Sequence, residues 1–169
     1  MRKLVIKFLK DYFKKKGFLF KDNNWYLQLN DIYIVCEYQG GRNINGFFLN
    51  FGIFFSKLHI KSDNVIPKID NCTFVGRYEQ IITLKENWFK DHFFFETFSN
   101  DNYLIKLNEI INQIDNYIFP ILYKMSNYEY YIEKTTKTIK YNNLWMKHIK
   151  EADFINFIRL QIKNSDQKI

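Results

Sequence analysis

Alanine is nearly missing from this chain: Ala152 is the sole example in 169 residues, and only two prolines, six glycines, two cysteines and three histidines accompany it. Each shortage excludes something. Cys36 and Cys72 are too few for a disulfide framework and form no Cys-x-x-Cys pair, so both are expected to be reduced thiols. His59, His92 and His148 are scattered, with no second ligand at metal-binding spacing, so no metal and no cofactor is expected. No Gly-x-Gly-x-x-Gly, Walker loop or Gly-x-Ser-x-Gly elbow is present. Long apolar runs are also lacking. A stretch such as Ile118 to Tyr123 is far short of the ~20 residues that cross a bilayer. Lys7, Lys10 and Asp11 interrupt the apolar segment that a signal peptide would need. A cytoplasmic protein without membrane insertion is the expectation.

What stands in place of alanine is 23 Ile, 19 Asn, 18 Phe and 12 Tyr. These residues have A/T-rich codons, so the aromatic excess reads as genome composition before it reads as a binding surface. In either case large rings must fill the core. At 47 % hydrophobic and 25 % charged, the chain is neither disordered nor fibrous. A domain of this size buries roughly 70 % of its extended-chain surface.

The net charge of +7 is uneven. Residues 1–16 carry seven basic groups against Asp11 alone, a net +6; residues 17–132 carry −3, and residues 133–169 carry +4. Basic ends flank a mildly acidic middle, which argues against a uniform nucleic-acid-binding face unless the ends meet.

Apolar spacing predicts a helix over residues 2–16, with Leu4, Val5, Phe8, Leu9, Tyr12 and Phe13 as its stripe and Gly17 just past its end. From Phe18 the period becomes two. Trp25, Leu27 and Leu29 form one face of a strand, and Asn30-Asp31 makes a two-residue turn. Ile32, Ile34, Cys36 and Tyr38 then alternate with Tyr33, Val35, Glu37 and Gln39. After the loop Gly40–Gly46, Phe47, Leu49, Phe51, Ile53 and Phe55 alternate with Phe48, Asn50, Gly52 and Phe54. Further strands are predicted at Thr73–Leu84 and His92–Phe98. Asn100 or Asp101 should cap a helix with Leu104, Leu107, Ile111, Ile114 and Ile118 as its stripe, ending or kinking near Ile118 because of Pro120. Residues 128–141 read equally as edge strand or loop, and Leu144 to Lys163 as a last helix that packs back through Trp145, Ile149 and Ile158.

The predicted fold is α+β: an antiparallel meander of four to six strands with helices packed on one face, plus a C-terminal helix. Residues 1–125 should form the α+β domain, and residues 126–169 a C-terminal extension on it.

Several spaced residues carry a resemblance. Lys14-Lys15-Lys16-Gly17-Phe18, Trp25-Tyr26, Gln39 and Phe47-Phe48-Leu49-Asn50-Phe51-Gly52-Ile53 occur in order, followed by Cys72 and Arg77, Trp88-Phe89 and Ile118-Phe119-Pro120. The chain resembles, over about residues 1–125, the bacterial family known as domain of unknown function 4304. It departs from that pattern at Arg77-Tyr78-Glu79, where the family has Arg-Ile-Gly, and at Phe89, where it has a second Trp. The resemblance implies an α+β fold and transfers no catalytic residue.

Candidate binding residues are Gln39, Arg42, Asn50, Arg77 and Trp88; no catalytic residue is assigned. The two amides and the planar donor fork of Arg77 could build a polar recognition patch on one sheet face, or each amide could satisfy a local backbone group. Gly40-Gly41-Arg42 reads first as a hairpin loop and second as an anion-binding nest. The expected function is a non-catalytic protein-binding module favouring an acidic partner, most concretely an immunity-type protein that occludes a toxin. Two alternatives stand beside it. One is an enzyme with Arg77 as anion clamp and Glu79 or Glu37 as base, or with Cys72 as a nucleophile beside a histidine. The other is nucleic-acid binding through the basic terminal helices.

Overall fold

A computed structural model describes residues 1–41, 45–56, 67–72, 74–78, 93–127 and 145–146. Helix α1 (Arg2–Lys15) is followed by strands β1 (Leu19–Lys21), β2 (Asn24–Leu29), β3 (Ile32–Gly40), β4 (Phe47–Phe55) and β5 (Phe74–Arg77). Helix α2 (Tyr103–Gln113) runs through a π turn (Ile114–Ile118) into α3 (Phe119–Met125). A two-residue strand, β6 (Trp145–Met146), pairs with β5. The sheet is antiparallel throughout and its strands lie in sequence order, the meander expected from the period-two pattern.

Local chemistry sets the turns. Asp22 and Asn23 both have positive φ, at 51° and 63°, which is the backbone of a tight I′ hairpin between β1 and β2. Asn30 has φ 57° in the β2–β3 turn. Helix α1 ends in a Schellman motif: Gly17 N–H donates to Lys14 O, and Phe18 N–H donates to Phe13 O, each at 3.0 Å. Gly17 takes φ +85°, and the rings of Phe13 and Phe18 meet edge-on at 5.3 Å across the cap.

One sheet face carries the main core. Val5, Leu9 and Phe13 of α1 pack with Trp25, Ile34, Cys36, Leu49, Phe51 and Ile53 of the strands and with Leu107, Ile110, Ile114, Ile118 and Leu122. Both helical segments therefore lie on the same face. Tyr12 donates to Asp115 Oδ1 at 2.7 Å, and Lys16 reaches the same oxygen at 2.8 Å, which ties α1 to the π turn. On the other face a 3₁₀ turn, Ile69–Asn71, places Ile69 and Cys72 against Val35 and Phe54.

Several expectations are corrected. Leu4 is 42 % exposed, so the α1 stripe is narrower than its apolar spacing suggests. Within the strand expected at Thr73–Leu84, Phe74–Arg77 is strand and Tyr78 turns helical and is buried, while residues 73 and 79–84 lie outside the described residues. Of the strand expected at His92–Phe98, the described residues 93–98 form none: Phe94 makes one bridge to Gly46, and Phe95–Thr97 coil into a 3₁₀ turn. Ser99 and Asn102, rather than Asn100 or Asp101, close the start of α2; Ser99 N–H donates to Asn102 Oδ1 and Asn102 N–H to Ser99 Oγ. Leu104 is exposed, and the buried stripe runs instead through Leu107, Ile110, Ile114 and Ile118. Of the two outcomes expected near Ile118, an end or a kink, the structure has no end: a π turn (Ile114–Ile118) interrupts the α-helix and the chain continues as α3 through Pro120. The widened π turn before it absorbs the missing N–H and the ring clash, and its extra residue brings Phe119 and Leu122 inward together with Ile118. Trp145 and Met146 are strand, not the start of a helix. Ile149, Ile158 and the remainder of the expected C-terminal helix lie outside the described residues, as does 128–141.

Candidate functional site

The sheet register lines up four polar residues across four strands. Asn24 pairs with Glu37, Glu37 with Asn50, and Asn50 with Arg77. The row lies on the face turned away from α1, where Val35, Phe54 and Val75 also stand, beside the part covered by the 3₁₀ turn. Alternation along β3 and β4 adds Gln39 and Phe48 to the same face.

Asn50 organises the row. It is only 6 % exposed, and its amide nitrogen donates to Glu37 Oε2 at 2.7 Å and to Gln39 Oε1 at 3.0 Å. Both amide protons are thus used on β3, and the carbonyl of the planar group faces away from that strand. Accepting from Asn50 turns the Gln39 N–H₂ outward, and Gln39 is exposed. Arg77 is exposed as well; its guanidinium carbon sits 4.6 Å from the centre of the half-buried Phe48 ring. Asn24, 3 % exposed, closes the other end: its Oδ1 accepts from the Ile69 N–H at 3.2 Å and its nitrogen donates to Asp22 O at 2.8 Å. A buried polar group without partners is costly, so these bonds are what permit two amides inside an aromatic sheet.

Three of the five candidate residues, Gln39, Asn50 and Arg77, therefore share one face. Asn50 bonds Gln39 directly and stands in register with Arg77. Asn50 bonds the side chains of Glu37 and Gln39, and not a local backbone group as one of the two expectations had it. Arg42 and Trp88 lie outside the described residues, as do Glu79 and the three histidines. Asn24, Glu37 and Phe48 complete the row without having been singled out as binding residues. Cys72, considered as a nucleophile, is buried, and its thiol donates to Lys68 O at 3.4 Å. Cys36 is buried too, and burial pushes its thiol well above the usual range, away from reactive thiolate. Among the described residues, no cluster of three His, Cys, Asp or Glu side chains could hold a metal ion. No described helix is long and apolar enough to cross a membrane.

The family model described as Domain of unknown function (DUF4304) matches residues 9–124, more than two thirds of the chain. The chain belongs to this family. The DUF4304 match takes in strands β1 to β5, the polar row, the Gly17 cap and α2 with its π turn, and it stops within α3. No curated protein and no solved structure matches the chain.

Proposed function

We propose that this DUF4304 chain is a non-catalytic binding module that meets an acidic protein partner on the open sheet face, in the manner of an immunity-type protein occluding a toxin. The observation that carries this reading is the Asn50 lock. Its two donated bonds fix Glu37 and Gln39 in one polar row, and Gln39 and the Phe48-braced Arg77 are the exposed members of that face. An arginine braced on a ring beside half-buried aromatic area is the usual make-up of an interface anchor. Such an anchor works within a contact of ~800 Å² on each partner. On this face the exposed guanidinium of Arg77 favours an acidic group opposite.

A catalytic use of the row, with Arg77 as anion clamp and Glu37 as base, fits less well. Glu37 Oε2 accepts the 2.7 Å bond from Asn50, which gives the carboxylate a structural part in the row.

The test is affinity capture from the native cell by the full chain and by Arg77→Glu, with mass spectrometry of what is retained. A protein held by the wild type and reduced at least ~10-fold by the charge reversal, about 1.4 kcal/mol or more, supports the proposal. A partner held equally by both puts the contact elsewhere.

A further inference from the structure

A second surface lies on the opposite side of the molecule from the polar row. Lys3, Lys7, Lys10 and Lys14 are all exposed on α1. At 3.6 residues per turn they fall within about 60° of arc, a single file about 16 Å long. Among the described residues, none of the four has a carboxylate partner: the ion pair on this helix is Lys16 with Asp115, and Asp11 is its only acid. Four unpaired ammonium groups in one line repel each other, so the arrangement costs stability unless an anion is bound.

We infer that this lysine ladder binds the phosphate backbone of nucleic acid, without reading its sequence. Three observations select that occupant. The ladder is a line rather than a broad patch, and along a duplex one strand repeats its charge every ~3.4 Å, so ~16 Å follows about five phosphates. The apolar face of α1 is spent on the core, with Val5, Leu9 and Phe13 fully buried, so the helix keeps little beyond Leu4 to lay into a lipid surface. The neighbouring ring, Phe20, lies 4.3 Å beneath the Lys10 ammonium and is tilted against Trp25 at 5.3 Å. It is occupied, so the ladder contacts backbone and not stacked bases.

The test is titration of the full chain against a 20-base-pair duplex between 50 and 200 mM salt, beside the variant Lys3→Gln/Lys7→Gln. Both lysines are exposed, and a thermal midpoint no lower than that of the wild type establishes that the variant is folded. Wild-type binding should lie at roughly 10⁻⁴–10⁻⁶ M, the range of non-specific binding. Each phosphate contact contributes about −0.9 to the slope of log K against log salt. The variant should therefore be shallower by about 1.8, and weaker on the order of 100-fold at 50 mM. Arg77→Ala should leave the slope unchanged, which separates failure of this inference from failure of the protein-binding reading. Equal slopes for wild type and variant, no duplex binding at 50 mM, or binding to phosphatidylserine-containing vesicles in preference to duplex would each overturn it.

Discussion

Tyr12 and Asp115 lie 103 positions apart, yet one 2.7 Å bond between them joins the two helical layers. Burial, reinforced by the Asp115 charge at the other end of that bond, raises the Tyr12 phenol far above its ordinary 10.0. The fold therefore favours the neutral phenol. Because the folded value exceeds the unfolded one, the contribution of Tyr12 is complete below about pH 10 and is lost as pH rises beyond it. Tyr12→Phe should cost about 1 kcal/mol at pH 7 through the lost bond. It should also flatten the decline in melting temperature between pH 9 and 11, which a pH series of thermal melts would record. Residual alkaline sensitivity should remain from Cys36, whose thiol is raised by burial in the same sense. At this scale the sequence was only partly legible. Gln39 and Asn50 can be picked out as amides on strands, but Glu37 as their anchor depends on which residue faces which. That register is a property of the β3–β4 pairing, and residue type alone does not supply it.

Elements were most legible where one physical rule governed them. Strict alternation from Trp25 to Phe55 set both faces of β2, β3 and β4, because a strand slipped by one residue would wet its whole core side. The Lys-Lys-Lys-Gly-Phe run set the end of α1, where Gly17 at φ +85° is followed by Phe18 packing back onto Phe13. Gly17→Ala should cost about 1–2 kcal/mol in urea unfolding, with the slope against denaturant unchanged, since only the left-handed backbone is penalised. Gly46 is required for a different reason: a Cβ there would meet Phe93 O at 2.5 Å, where β4 closes on residues 93–95. Legibility failed where two rules competed. Pro120 signals a helix stop, but the inward packing of Ile118, Phe119 and Leu122 favours continuation, and a π turn reconciles the two. At Phe93–Phe98 consecutive aromatic residues suggest a strand, while the close approach of Gly46 leaves room for one bridge only.

The whole molecule is a sheet used asymmetrically. One face is sealed by α1 and the α2–α3 segment around a core of rings, and the other is partly covered by the 3₁₀ turn and otherwise carries the Asn24–Glu37–Asn50–Arg77 row. The basic α1 surface and the polar row therefore look in opposite directions, so a nucleic acid on one and an acidic protein on the other do not compete for space. The asymmetry was legible from periodicity, whereas its consequence, a polar row in register, needed the pairing of four strands. The most direct measurement is amide hydrogen exchange of the full chain, alone and with the protein it captures. The account predicts added protection at residues 37–39, 48–50 and 75–77. Protection confined to α1, with those strands unchanged, would contradict it.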